Sequence, residues 1–171
     1  QASDDRKAAL ADRDFSAEER VEFAIDRLTG THRREAGILV LEHKILRATR
    51  TKQPFTLAFV DVDGLKQIND SSGHAAGDQL LRAVADAIRA HLRPYDLVVR
   101  YGGDEFLCGF LDLPAAASAK RFALVNADLA ETQQASVTVG LAEFETGDAL
   151  DELIERADTA LYAEKQRSPD T

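Results

Sequence analysis

The residues with the clearest capacity for chemistry form a short motif, Gly102-Gly103-Asp104-Glu105, between two runs of strand-forming residues. Glycines in such a place allow positive φ and let a ligand approach the backbone closely. The pattern predicts the tip of a β-hairpin, with both carboxylates at the start of its second strand.

A second acidic cluster lies upstream, where the apolar run 55–60 predicts a strand that ends in Asp61-Val62-Asp63. Carboxylates at the ends of two strands can hold a hard divalent cation between them. A cation beside a glycine-lined backbone suits a nucleoside triphosphate, because it reverses the local negative charge. The alternative is that these acids are solvated turn residues. Both interpretations stay open for Asp63, whereas the pair formed by Asp61 and Asp104 favours metal binding.

The elements that must position these acids follow from apolar spacing and turn signals. Thr31 is expected to cap a helix that runs to about Thr51, with Glu35 near its first turn. With the strand 55–60, the predicted order is α-β-α-α-β-β-α-β-α. The other predicted helices are 65–69, 76–91, 115–131 and 150–166, and the other strands are 98–101, 106–111 and 136–144.

Five blocks of the sequence, in order, resemble the GGDEF family of diguanylate cyclases, which join two GTP molecules into cyclic di-GMP. The signature Gly-Gly-Asp-Glu-Phe stands unaltered, and the resemblance covers about residues 26–167. It implies an α/β (α+β) fold with a central, mostly antiparallel sheet flanked by helices, as in nucleotidyl cyclases and polymerase palms. The five blocks are Asp26–Arg34, Asp61–Asp70, Gly73–Asp78, Gly102–Phe106 and Ala157–Tyr162.

The resemblance assigns metal ligands at both acidic clusters. Asp61 and Asp104 would bind through their side chains and Val62 through its carbonyl oxygen. Glu105 is the weaker candidate, as a further ligand or as a base near the 3′-hydroxyl. Two Mg²⁺ or Mn²⁺ ions per half-site are expected, because phosphodiester formation needs an activated hydroxyl, a neutralised α-phosphate and a stabilised pyrophosphate.

The resemblance also assigns a phosphate-binding set, in which backbone N–H groups at a helix start can hold anions. The set consists of Gly64, Leu65, Lys66, Gly102, Gly103 and Lys165. Two departures from the family pattern concern this set. Gly64 replaces an aromatic residue or His, which is harmless if the contacts come from the main chain. The Arg expected after Lys165 is missing, with Pro169 at its position and Ser168 in place of Gly; Arg167 is then the remaining cation for this phosphate, or GTP binds more weakly.

Asn69 and Asp78 resemble the family's guanine-reading residues. A carboxylate accepts hydrogen bonds from guanine N1–H and N2–H₂, and an amide both donates and accepts. Without the resemblance, Asn69 would be interpreted as a helix C-cap and Asp78 as an acid at a helix N-terminus.

Arg93 and Asp96 form an Arg-x-x-Asp pattern shortly before the glycine pair. At that spacing the family has an inhibitory site for its product. Arg can pair with phosphate or stack on guanine, and Asp can accept from the guanine edge. The alternative is a plain Arg–Asp turn contact.

Composition narrows the class of protein. The net charge of −9 argues against a nucleic-acid-binding surface, no apolar run is long enough for a membrane span, and the single Cys108 fits a reducing cytoplasm. The chain contains no Met, so we expect a piece of a longer protein. Residues 1–25 are then an N-terminal helical arm or linker from an upstream sensor domain, 26–167 the GGDEF domain and 168–171 a tail.

The expected function is Mg²⁺-dependent condensation of two GTP molecules by a homodimer, with cyclic di-GMP as allosteric inhibitor. The first alternative is a catalytically silent module that binds GTP or cyclic di-GMP and regulates a partner. Another two-metal nucleotidyltransferase, such as a mononucleotide cyclase, is the third possibility.

Overall fold

The computed structural model describes residues 24–167. Most of the expected N-terminal arm and the whole tail lie outside this range. The described chain forms five strands and five helices. The strands are β1 (His32–Arg33), β2 (Phe55–Val62), β3 (Leu97–Arg100), β4 (Glu105–Leu111) and β5 (Val137–Glu143). The helices are α1 (Arg34–Thr51), α2 (Leu65–Ser72), α3 (His74–His91), α4 (Ala115–Gln133) and α5 (Leu150–Arg167).

The strands form one sheet in the order β1-β3-β4-β2-β5. Only the short β1–β3 pair is parallel, and the other three pairs are antiparallel. The prediction of a central, mostly antiparallel sheet flanked by helices is therefore confirmed.

Both faces of the sheet are covered, which explains the continuous apolar runs in β2 and β4. In β4, Phe106, Cys108 and Phe110 pack with α3 and α4, whereas Leu107 packs with α1 and α5. This alternation follows from the two-residue period of a strand. Burial raises the pKa of the Cys108 thiol, so this residue is a protonated part of the core.

The start of α1 differs from the expectation. Thr31 is buried and its hydroxyl shares a hydrogen bond with the Thr29 hydroxyl (2.9 Å), so it does not cap the helix. Arg33 holds the N-cap position without a side-chain hydrogen bond. Thr31 instead belongs to a compact turn that delivers His32 and Arg33 to the sheet as β1, a strand too short for a sequence pattern to indicate.

Three elements near the acids extend beyond their predicted boundaries. β2 continues to Val62, α2 reaches Ser72, and α3 begins at His74, which leaves only Gly73 between the two helices. No described helix has the combination of length and apolar character that crossing a membrane requires.

Candidate active site

The two acidic clusters meet in the sheet. Asp61 is the cross-strand partner of Glu105, and the Val62 N–H donates to the Asp104 carbonyl oxygen (2.9 Å). Cross-strand partners place their side chains on the same face of a sheet. The end of β2 and the hairpin tip therefore present their carboxylates together, as the sequence predicts.

The hairpin tip spans the residues between β3 and β4, and its glycines do not have the positive φ that such a tip allows. Neither Gly102 nor Gly103 has φ in the left-handed region. At Gly102 an added Cβ would lie 2.4 Å from Glu105 Oε2, so the Glu105 carboxylate crosses the α-carbon of this residue. Gly102 thus leaves space for the Glu105 carboxylate, and no positive φ is involved.

The carboxylates repel one another in a partly desolvated place. Burial raises the pKa of Asp61; the contact with Lys165 opposes this shift, and repulsion from Asp104 adds to it. Burial likewise raises the pKa of Glu105, and repulsion from Asp104 and Asp61 adds to it. Both shifts show that negative charge here lacks full compensation.

Lys165 supplies part of the missing positive charge from the last helix. Its ammonium Nζ lies 2.8 Å from Asp61 Oδ1, although the Lys165 side chain is still 41% exposed. A cation therefore already occupies this edge of the acidic cluster, and the donor set of carboxylates and carbonyls fits a hard divalent ion. Within residues 24–167, no three His, Cys, Asp or Glu side chains are arranged to hold a metal by themselves. Further oxygen ligands, from water or a bound phosphate, would be needed to complete the coordination of a divalent ion.

An open cleft of about 480 Å³ adjoins the hairpin tip. It brings together six residues that the sequence assigned to substrate or metal, from α2, α3 and the tip. Those six are Leu65, Lys66, Asn69, Asp78, Gly103 and Asp104. The other assigned residues are not part of its lining: Asp61, Val62, Gly64, Gly102, Glu105 and Lys165. Asp104 thus links the cleft to the acidic cluster.

Asn69 and Asp78 are not helix-end residues. α2 continues past Asn69 to Ser72, and Asp78 lies beyond the first turn of α3. An added Cβ at Gly77 would lie 2.0 Å from Asn69 Oδ1, so the lack of a side chain at Gly77 allows Asn69 to occupy its place. Both polar side chains reach the cleft from facing helices.

Gly64 is the N-cap residue of α2 and has φ of +73°. This left-handed conformation favours glycine over the aromatic or His residue typical of the family. The backbone turn that precedes Leu65 and Lys66 is therefore compatible with this departure from the family pattern.

Arg100 and Asp26 have no role predicted from the sequence, yet both contribute to this region. Arg100 lines the cleft, donates to the Gly103 carbonyl oxygen (2.9 Å) and pairs with Asp26 Oδ1 (3.2 Å). Asp26 also accepts hydrogen bonds from the Thr29 N–H and hydroxyl. A charged residue at the end of an apolar strand run was the available signal for Arg100. Together these contacts anchor the hairpin tip to the turn before β1.

Arg34 and Tyr101 form a second anchor. The Arg34 guanidinium lies 4.1 Å from the centre of the Tyr101 ring and donates to the Tyr101 hydroxyl (3.0 Å). The Tyr101 ring in turn meets Phe59 edge to face. The base of the hairpin is thus held by stacking.

Arg93 and Asp96 lie apart from the cleft. The Arg93 guanidinium pairs with the fully buried Asp96 carboxylate (2.7 Å) and donates to the Leu111 carbonyl oxygen (2.9 Å). It also lies 4.6 Å from the ring centre of the exposed Tyr95. Asp96 has no exposed oxygen in this arrangement, so a ligand would meet Arg93 and Tyr95 first.

The sequence of the chain is similar to a known family and to proteins within it. Residues 23–171 match the family model described as "Diguanylate cyclase, GGDEF domain". The chain is 32% identical over 162 residues to diguanylate cyclase DosC of Escherichia coli K12, covering 90% of this chain and 35% of DosC. It is 33% identical over 153 residues to diguanylate cyclase DgcP of Pseudomonas aeruginosa, covering 85% of this chain and 23% of DgcP. The chain therefore spans only 35% and 23% of these two relatives.

Solved structures give the same result for the fold. The coiled coil and GGDEF domain of DgcB from Caulobacter crescentus, in complex with c-di-GMP, matches with a TM-score of 0.89 and 28% identity, over 96% of this chain and 92% of that chain. Diguanylate cyclase SiaD of Pseudomonas aeruginosa, in complex with its activator SiaC, matches with a TM-score of 0.80 and 29% identity, over 97% of this chain and 67% of that chain. From the sequence blocks, the fold and the family match, we conclude that the chain belongs to the GGDEF family of diguanylate cyclase domains.

Proposed function

We propose that this domain condenses two GTP molecules into cyclic di-GMP and two pyrophosphates. The observation that carries the proposal is the junction of two sites at Asp104. On one side lies the acidic cluster at the end of β2, and on the other lies a cleft with Asn69 and Asp78 on its walls. A nucleotide with its base in the cleft would place its phosphates near the acids.

The base would be selected by Asn69 and Asp78. The Asp78 carboxylate can accept from guanine N1–H and N2–H₂, whereas adenine has no donor at N1. The Asn69 amide can donate and accept beside it. The open rim of the cleft fits a ligand whose phosphates extend beyond it.

The phosphates would be held by the backbone of Gly64, Leu65, Gly102 and Gly103 and by Lys66. Lys165 is already at the acidic cluster in this structure, through its contact with Asp61. In the substrate complex its ammonium would bind triphosphate oxygens.

Asp61 and Asp104 carboxylates and the Val62 carbonyl would hold the divalent ions, two per half-site. When bound, Mg²⁺ or Mn²⁺ neutralises phosphate charge and makes a hydroxyl more acidic. Glu105 is the group that this chain offers as proton acceptor for the 3′-hydroxyl, or as an additional ligand.

One chain provides one GTP site, so the reaction needs a homodimer in which each 3′-hydroxyl attacks the α-phosphorus of the partner's GTP. The two bonds form between substrates held by different chains, and the geometry of the dimer sets the rate. We further propose product inhibition through Arg93 and Asp96, with Tyr95 as an exposed stacking surface beside Arg93. The reaction would take place in the cytoplasm.

A catalytically silent module is the second candidate function. The pairing of Lys165 with Asp61, and the missing Arg after Lys165, favour it because both weaken the case for tight triphosphate binding. The unaltered Gly-Gly-Asp-Glu-Phe signature favours catalysis.

Turnover of GTP by the wild type and by Asp104→Asn separates these candidates. With Mg²⁺ present, we expect the wild type to form cyclic di-GMP and Asp104→Asn to be slower by at least about a hundredfold, because charge stabilisation at the phosphates provides much of the rate. The variant should fold normally, since it loses a repulsive charge. Equal activity of the two proteins would contradict the metal assignment, and an inactive wild type that binds GTP would favour the silent module.

A further inference from the structure

Asp63, the second acid at the end of β2, differs from Asp61 in that each of its carboxylate oxygens accepts a hydrogen bond from a hydroxyl. Oδ2 accepts a hydrogen bond from the Ser136 hydroxyl (2.6 Å), and Oδ1 accepts one from the Thr138 hydroxyl (2.7 Å). Hydroxyl hydrogen bonds of this length to a carboxylate are strong. Asp63 is therefore not a solvated turn residue, and the two hydroxyls fix the orientation of its carboxylate.

The backbone strengthens the same connection. The Asp63 N–H donates to the Ser136 carbonyl oxygen (3.1 Å), so Asp63 and Ser136 contact each other through main chain and side chain. One residue earlier, Val62 is held to the hairpin tip by the hydrogen bond from its N–H to the Asp104 carbonyl oxygen. The end of β2 is thus fastened on one side to β5 and on the other to the tip.

The start of β5 is itself held from behind. The Asn126 side chain on α4 accepts from the Val137 N–H (2.8 Å) and donates to the Val137 carbonyl oxygen (3.0 Å). Ser136 and Thr138 flank Val137, so the two hydroxyls that reach Asp63 come from a segment that cannot shift freely. The hydrogen-bonded series runs from α4 through β5 to Asp63, and then through Val62 to Asp104.

We propose that Asp63 is a positioning residue, which, with Ser136 and Thr138, fixes the Val62 carbonyl and the Asp61 carboxylate relative to Asp104. This inference rests on the proposed function of the site. Groups that orient metal ligands without touching the metal commonly change metal affinity or activity about 10- to 100-fold when removed. At Asp61 to Asp104 such support is needed, because the carboxylates repel one another until a cation binds.

Asp63 could act as a positioning residue or as a metal ligand, and the two roles predict different results. If Asp63 is a positioning residue, Asp63→Asn should keep most of the function, because Asn still accepts from one hydroxyl and donates to the oxygen of the other. If Asp63 is a ligand, Asp63→Asn should fail as Asp61→Asn does. Ser136→Ala/Thr138→Val distinguishes the roles in the opposite direction, because it removes both donors and leaves the carboxylate intact.

The test measures Mn²⁺ binding to the protein, and the electron paramagnetic resonance signal gives the concentration of free Mn²⁺. The protein is saturated with guanosine 5′-[(α,β)-methylene]triphosphate, and the Mn²⁺ bound by the analogue alone is subtracted. We expect the wild type to bind Mn²⁺ and Asp61→Asn to lose binding. Asp63→Ala and Ser136→Ala/Thr138→Val should bind about 10- to 100-fold more weakly, and Asp63→Asn should stay close to the wild type. In GTP turnover, the two weakened variants should need more Mg²⁺ for half-maximal rate, with little change in the KM for GTP.

Asp128→Ala is the matched control, because Asp128 is a half-buried carboxylate that contacts His91 rather than the acidic cluster. It should bind Mn²⁺ as the wild type does. Circular dichroism melts of every variant show whether it is folded; if Asp63→Ala does not fold, the Ser136→Ala/Thr138→Val variant carries the test.

Wild-type Mn²⁺ affinity in both Asp63→Ala and Ser136→Ala/Thr138→Val would overturn the positioning role while leaving the proposed function intact. If Asp63→Asn loses Mn²⁺ binding as Asp61→Asn does, and Ser136→Ala/Thr138→Val binds Mn²⁺ normally, then Asp63 is a ligand. That result would also overturn the positioning role. A wild type that binds no Mn²⁺, or an Asp61→Asn variant that binds it normally, would contradict the proposed function itself, and the inference with it.

Discussion

The acidic side chains at the end of β2 and at the hairpin tip have different surroundings. Asp61 contacts Lys165 and has its pKa raised by burial, whereas Asp63 is engaged by two hydroxyls. Glu105 lies against the α-carbon of Gly102. The chemistry of each carboxylate therefore depends on its partners more than on its place in an acidic sequence motif.

Asp78→Ser tests base selection. Losing the acceptor for guanine N1–H and N2–H₂ should weaken GTP binding by about 1–3 kcal/mol and admit some ATP. Competition assays with GTP and ATP give the ratio of the two affinities. Asp70→Ser is the matched control, since Asp70 lines the same cleft without an assigned role. An unchanged GTP-to-ATP ratio in Asp78→Ser would show that another group reads the base.

Arg93 tests the proposed feedback. A charge-assisted contact contributes about 1.5–3 kcal/mol, so removing it should weaken cyclic di-GMP binding tenfold or more. Arg93→Ala alone would strand the buried Asp96 charge, so the variant should be Arg93→Ala/Asp96→Asn. We expect it to remain catalytic and to accumulate more product before stalling. Equal product affinity by calorimetry in the variant and the wild type would reduce Arg93 and Asp96 to a turn contact.

At the scale of the element, three connections hold the hairpin tip: Arg100 to Asp26, Arg34 to Tyr101, and the Val62 N–H to Asp104. The first of these ties the tip to the turn that begins the domain. Burial raises the pKa of Asp26, but hydrogen bonds from Thr29 and the charge of Arg100 more than offset this, so its pKa lies below the ordinary value of 3.8.

Asp26→Asn should therefore destabilise the fold by an amount that depends on pH. A lowered carboxyl pKa contributes stability above its unfolded value, and that contribution is lost as pH falls through the folded value. We expect a loss of about 1 kcal/mol at pH 7 that shrinks below the ordinary pKa of 3.8 and vanishes beneath the folded pKa. Urea unfolding of the wild type and the variant across this range measures it. Glu164→Gln, which breaks an exposed pair with Arg167, should change little at any pH. A pH-independent difference for Asp26→Asn would rule out the Arg100 pairing as its cause.

Whether a feature could be predicted from the sequence depends on how far apart along the chain the interacting residues lie. The meeting of Asp61 with the hairpin acids was predictable, because strand ends bearing carboxylates were visible as local patterns. The partners of Asp63 were not, since Ser136 and Thr138 lie 73 and 75 positions away and look like ordinary strand residues. The expectation that Thr31 caps α1 was wrong, because the Thr31 hydroxyl is hydrogen-bonded to the Thr29 hydroxyl instead. The reason for Gly102 likewise appears only once Glu105 is placed.

For the molecule as a whole, the proposed reaction needs more than one chain. If the cleft beside Asp104 holds one GTP, making cyclic di-GMP requires a second chain whose GTP faces the first. Catalysis should therefore depend on how often two chains meet.

The most direct measurement is the rate and mass of the product formed from GTP and Mg²⁺ over a series of protein concentrations. We predict cyclic di-GMP as the product, with a rate per chain that rises in proportion to protein concentration until the dimer is saturated. A mononucleotide product, or a rate per chain of cyclic di-GMP formation that stays constant down to concentrations at which sedimentation shows only monomer, would contradict the account of two facing half-sites.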